Sequence, residues 1–170
     1  MNADRPEPPL KPLDLLAALR QHGVEFVVIG GFSLAAHGYV RGTKDVDIVP
    51  EPSRENLTRL MAALEVLDVE QLGVGDFGPE EMPLKLDIDG LMQRGNWVLR
   101  TRFGRLDILQ YVAGMQSYDR LREAAIVPAV PGLDADVSFA GRDDLIAMKR
   151  AAGRPQDLQD IAALEAARGG

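Results

Sequence analysis

The chain has 170 residues, 46% of them hydrophobic and 26% charged, and a formal net charge of −7. That length is enough to bury a sizeable core, and the acidic balance argues against a surface built globally for gripping nucleic-acid phosphates. The absence of cysteine excludes disulfides and thiolate metal sites, and no apolar run approaches the roughly 20 residues that a membrane span needs.

Residues 1–12 (MNADRPEPPLKP) are polar and proline-rich and are expected to form a flexible lead-in. They contain no signal-peptide apolar core, so a cytoplasmic location is the default expectation. Residues 13–170 are expected to form one domain, with 142–170 as its C-terminal helical part. Leu13–His22 has apolar residues at helical spacing and stops at Gly23. Glu25–Ile29 reads as a short central strand, broken by Gly30 and Gly31. Ser33–His37 forms a short helix closed by Gly38. Val46–Val49 is a second strand, ended by Pro50 and Pro52. Ser53 caps a helix from Arg54 to about Leu67, whose apolar residues share one face. Residues 68–95 hold Gly73, Gly75, Gly78, Pro79 and Pro83 and read as loops, with a strand over Leu84–Ile88. Asn96–Thr101 and Arg105–Leu109 form a hairpin around Gly104. Tyr118–Ala125 is a helix, and Val127–Val130 and Asp136–Phe139 are short strands. Asp143–Ala152 has acids in its first turn, Lys149 and Arg150 near its end and Gly153 as a stop. Asp157–Arg168 is the last helix. The alternation of strands and helices indicates an α/β (α+β) fold. The hairpin argues against a wholly parallel sheet, so the expected architecture is a mixed central sheet flanked by helices.

The chemistry concentrates between Val27 and Val49. Asp45 and Asp47 are two residues apart on an extended strand, so both point to one face. Two adjacent acids repel, and a divalent metal ion removes the conflict. Gly30 and Gly31, just before a helix, offer bare backbone N–H groups to a phosphate. A two-metal site needs a third carboxylate. Asp107, isolated between Leu106 and Ile108, is preferred, because burial of an unpartnered acid is costly. The rival is LKLDIDG, where Asp87 and Asp89 precede Gly90 and equally fit the flanks of a turn. Arg41, Thr43 and Lys44 lie just before the acidic strand, within reach of phosphates, though each also reads as part of a plain basic turn. Asp157 and Asp160 read as caps or as partners of Lys149 or Arg154. His22 and His37 give no support for a histidine metal site. Trp97 reads as core, and the clustered Arg94, Arg100, Arg102 and Arg105 as solvated surface.

Gly30-Gly31-Phe32-Ser33, Asp45-Val46-Asp47 and Asp107, in this order, resemble the nucleotidyltransferase superfamily of the polymerase β type. The stretches RGTKDVDI, TRFGRLDIL and LIAMKRAAGRPQDLQDI resemble more specifically the minimal, AbiEii-like members, many of them hypothetical proteins or toxin components of toxin–antitoxin systems. The resemblance runs from about Leu13 to Leu164. It implies that Asp45 and Asp47 hold Mg2+ (or Mn2+), and that Asp107 completes the metal site and activates the attacking hydroxyl. It implies that Gly30 and Gly31 admit the triphosphate of an NTP such as ATP, and that Ser33 bonds its β- or γ-phosphate. It further implies that Lys149 binds nucleotide, a plain solvated lysine being the alternative. The implied reaction moves a nucleoside monophosphate to an acceptor hydroxyl and releases pyrophosphate. The acceptor is RNA (tRNA for a toxin), a protein or a small molecule. Aminoglycoside and lincosamide nucleotidyltransferases share the core signature. A cognate antitoxin or toxin and a second copy in a homodimer are the implied protein partners, with no membrane. The alternative from another class is a catalytically inactive nucleotide- or partner-binding component.

Overall fold

The computed structural model describes residues 5–168, so the first four residues of the expected lead-in lie outside the described residues. In chain order the elements are α1 (Pro12–Gln21), β1 (Phe26–Ile29), α2 (Gly31–Ala36), β2 (Asp45–Pro50), α3 (Arg54–Val66) and β3 (Glu70–Gln71). A 3-10 turn (Pro79–Glu81) follows, then α4 (Ile88–Met92), β4 (Asn96–Thr101), β5 (Gly104–Leu109), α5 (Tyr118–Ala124), β6 (Ser138–Phe139), α6 (Arg142–Ala152) and α7 (Pro155–Arg168). Among the described residues no helix is long and apolar enough to cross a membrane.

The strands form one six-stranded sheet in the order β3-β4-β5-β2-β1-β6. It is mixed: β2 lies parallel to β5 and antiparallel to β1, and β4 and β5 form the expected antiparallel hairpin. All four residues of β1 are buried, because both faces of the sheet are covered. On one face, Leu15, Leu16 and Leu19 of α1 and Leu57, Leu60 and Leu64 of α3 pack with Val46, Ile48, Trp97 and Leu106. On the other, Val27, Ile29 and Val49 pack with Leu121 of α5, Leu145 and Met148 of α6 and Leu164 of α7. Trp97 is core, as its sequence setting indicates.

Three local expectations are corrected. Leu84–Ile88 is not a strand. Asp87 accepts a 2.7 Å hydrogen bond from Gly90 N–H and caps α4, and the apolar alternation of Leu84 and Leu86 serves packing against the core. Val127–Val130 is not a strand either. Pro128 and Pro131 cannot donate to a ladder, and only Ile126 pairs with Phe139, as a single bridge. The strand expected over Asp136–Phe139 shortens to β6 at the sheet edge. Nothing in the sequence signalled β3, which has two residues and pairs with Arg100 and Leu99. Ahead of α1, Leu10 packs on the core and Lys11 N–H donates to Phe103 O at 2.9 Å.

Candidate active site

The β2–β5 pairing builds the site. Its parallel register sets Asp47 opposite Asp107 and Asp45 opposite Arg105. Side chains alternate across a strand, so Asp45, Asp47 and Asp107 share the face covered by α6 and α7. One oxygen from each carboxylate lies within 4.8 Å of the others. Asp107 Oδ1 is buried with no hydrogen-bond partner among the described residues, and Arg105 Nη2 stands 3.8 Å from it.

Burial, then the charges of Asp45 and Asp107, push the Asp47 carboxyl up to about 8. Burial and the Asp45 charge push Asp107 up to about 6, against the pull of Arg105. Asp47 and Asp107, shielded from water beside the Asp45 charge, hold protons or a cation more readily than they hold bare charge.

The glycine pair sits directly against these acids. Gly30 has φ +72°, a conformation that favours glycine, and a Cβ there would lie 2.1 Å from Asp47 Oδ2. A Cβ on Gly31 would lie 2.9 Å from the Thr43 side chain. The glycines therefore make room for Asp47 and Thr43 as well as exposing backbone. Ser33 is fully buried, and its hydroxyl donates to Gly30 O at 2.6 Å, which ties down the turn. Thr43 Oγ1 donates to Asp45 O at 3.1 Å, and Lys44 is exposed.

Beside the acids lies an ion cluster that joins α6, α7 and the segment before β2. Lys149 is buried, with Nζ 2.8 Å from Asp160 Oδ2 and 3.7 Å from Asp157 Oδ1. Arg41 forks onto Asp160 with two 3.0 Å hydrogen bonds. Arg154 Nε donates to Asp157 Oδ2 at 2.7 Å, and Arg154 N–H to the same oxygen at 3.1 Å, so Asp157 both caps α7 and pairs. Burial opposes ionisation of Asp157 and Asp160, yet the hydrogen bonds they accept hold both below the usual carboxylate range. Lys149 is thus a paired interior lysine and not a solvated one. Its charge also favours the ionised form of Asp47.

Asp45, Asp47 and Asp107 come together, with Gly30, Gly31 and Thr43 against them and Lys149 and Arg41 joined through Asp160. Asp87 and Asp89 do not join them: the first caps α4, and the second is exposed, 3.7 Å from Arg54. Sequence reasoning underrated Asp160, whose i,i+3 spacing from Asp157 was its visible signal. It also read Arg105 as solvated surface, although its place two residues before Asp107 puts both on one strand face. His37 Nε2 meets Ala140 O at 2.8 Å and takes no part.

No protein-family model and no curated protein sequence matches the chain. Solved structures do. The chain is similar to ANT(2″)-Ia in complex with adenylyl-2″-tobramycin, with a TM-score of 0.52 and 14% identity over 91% of each chain. It is also similar to the lincosamide antibiotic adenylyltransferase LnuA bound to lincomycin, with a TM-score of 0.54 and 13% identity over 92% of this chain and 98% of that one. At such identities the likeness is one of fold, and the fold is that of nucleotidyltransferases.

Proposed function

We propose that the protein transfers a nucleoside monophosphate from an NTP to an acceptor hydroxyl, with a divalent metal ion. The observation that carries this reading is the meeting of Asp45, Asp47 and Asp107 within 4.8 Å, beside the Gly30-Gly31 turn. The residues fit a cation: three carboxylates, two with raised proton affinity, and a buried Asp107 oxygen with no partner among the described residues. All-oxygen donors match hard Mg2+ or Mn2+. Such an ion, when bound, supplies charge neutralisation at the attacking and leaving oxygens.

The chain's own contribution is positioning. Asp45 and Asp47 hold the metal. Asp107 completes the set and accepts the proton of the attacking hydroxyl. Gly30 and Gly31 bring backbone N–H groups to the triphosphate, and Ser33 shapes that turn through Gly30 O. Thr43 and exposed Lys44 face the phosphates. Arg41 and Lys149, locked onto Asp160, add positive field beside the leaving group.

The acceptor remains part of the proposal. Two of the similar solved enzymes hold antibiotic molecules, which favours a small-molecule acceptor. The toxin reading, with tRNA as acceptor, rests on the sequence resemblance alone. The test is incubation with each α-labelled NTP and Mg2+ or Mn2+, with tobramycin, lincomycin and total tRNA as acceptors. An Asp45→Ala, Asp47→Ala double variant is the control. Transfer that vanishes in the control supports the reading. Absence of both transfer and metal-dependent NTP binding overturns it. Metal-dependent binding without transfer to any acceptor supports the inactive binding component instead.

A further inference from the structure

A cavity of about 380 Å³ lies beyond the ends of β2 and β5, walled by Val49, Arg94, Gln110, Tyr111, Tyr118 and Asp119. It belongs to the layer that carries the three carboxylates. Val49 follows Asp45 and Asp47 on the same strand face, and it shares a cluster with Tyr118. Strand spacing puts Val49 about 7 Å from Asp47, and Gln110 about 10 Å from Asp107, along the chain. Val49 is thus the wall residue that joins the cavity to the strand carrying Asp45 and Asp47.

The wall is preset. Asn96 Oδ1 accepts from Gln110 N–H at 2.9 Å and Tyr111 N–H at 3.1 Å, and Asn96 Nδ2 donates to Tyr111 O at 2.9 Å. These bonds fix the backbone under Tyr111, whose side chain is nonetheless 75% exposed. An exposed, pre-positioned aromatic ring at a cavity mouth is a stacking surface. Both amide atoms of Gln110 are shielded from solvent and have no hydrogen-bond partner among the described residues. Such a group is costly unless something satisfies it. Burial pushes the Tyr118 phenol up to about 12, so at neutral pH it is an uncharged donor.

The charges select the ligand. Arg94 and Asp119 are the charged wall residues, one of each sign. A polycation would find a single carboxylate here, and a nucleic-acid backbone a single cation. An uncharged ring bearing hydroxyls matches an aromatic platform, an amide and a phenol.

We propose that this cavity is the acceptor subsite and that its occupant is an uncharged, hydroxyl-bearing ring compound, a small glycoside or nucleoside. The proposal rests on the nucleotidyl-transfer reading above. The acceptor's oxygen bonds to the α-phosphorus, the bond from that phosphorus to the bridging oxygen of the β-phosphate breaks, pyrophosphate leaves, and the hydroxyl proton passes to Asp107.

The test is amide NMR titration of the full chain with adenosine and with methyl maltoside at millimolar concentration, beside tobramycin and tRNA. Saturable shifts at residues 110–119 and at the other wall residues, Val49 and Arg94, are expected with the uncharged probes. Their affinity falls about tenfold in Tyr111→Ala and persists in Tyr111→Phe. The exposure of Tyr111 keeps both variants folded. The proposal is overturned if those amides stay still with the uncharged probes, respond only to tobramycin or tRNA, or keep wild-type affinity in Tyr111→Ala. A separate calorimetric titration of the wild-type protein with Mg2+–ATP isolates the underlying reading. Ring binding without nucleotide binding removes the acceptor role and leaves a binding cavity.

Discussion

Asp47 shows how far one residue's chemistry depends on its neighbours. Gly30, just after β1, leaves room for it, Asp107 faces it from β5, and Asp45 shares its strand face. Its carboxyl is raised to about 8 and that of Asp107 to about 6. A folded-state pKa above the unfolded value means that the native state binds the proton more tightly. The resulting stabilisation is complete below the unfolded value, 3.8, and is lost as pH rises to about 8. Melting temperature in chelator is therefore expected to fall from pH 4 to pH 8, with Mg2+ restoring stability at the upper end, where protons no longer compete. Melting curves that are flat with pH in chelator contradict this. Asp107→Asn is expected to lower transfer by about 10²–10⁴-fold, the range for a general base. Asp87→Asn should leave transfer intact, because Asn caps a helix as well as Asp. Gly30→Ala is expected to cost about 1–3 kcal/mol from its positive φ and, by displacing Asp47, to weaken Mg2+ binding measured calorimetrically.

At the scale of elements, α6 and α7 are joined by charge as much as by apolar packing. Asp160 is fully buried and serves Lys149, Arg41 and Gln156 at once. Removing one partner of a buried pair strands the other, at about 3–5 kcal/mol. Asp160→Ala is expected to lose that much in chemical denaturation and to loosen the segment ahead of β2 through Arg41. The double variant Lys149→Met, Asp160→Leu should recover most of the stability without recovering transfer. Recovery of transfer would mean that Lys149 acts only as a structural residue. The misread Leu84–Ile88 stretch belongs to this scale too. Its period-2 pattern was real, but Gly90 lets α4 approach Lys85 O so closely that a Cβ would lie 1.9 Å from it, and Asp87 caps the turn.

Across the whole molecule, the strand order is what turns separate motifs into a site. β2 lies between β1, which ends at the glycine pair, and β5, which brings Asp107 from 60 residues further along the chain. Ligand binding to this junction should stabilise the whole fold. At 100 times Kd, Mg2+–NTP contributes about 2.7 kcal/mol, a melting shift of roughly 5–10 °C for a chain this size. Differential scanning calorimetry checks this, and Asp45→Ala, Asp47→Ala should abolish it. Local sequence carried much of this molecule. The helix stops at Gly23 and Gly153, the Ser53 cap, the hairpin around Gly104 and the same-face pair Asp45/Asp47 all follow from nearest-neighbour geometry and are legible in the chain alone. β3, the isolated Ile126–Phe139 bridge and α4 were not legible, because each is too short for its own periodicity and exists only through distant partners. The burial of Lys149 against Asp160, the turn of Ser33 inward to Gly30 O and the cavity under Tyr111 were likewise decided by tertiary structure. Sequence spacing determines which side chains share a strand or helix face. Only the packing of α6 and α7 on the sheet, and the register of β5 against β2, determine which charges lose water and which partners they then find.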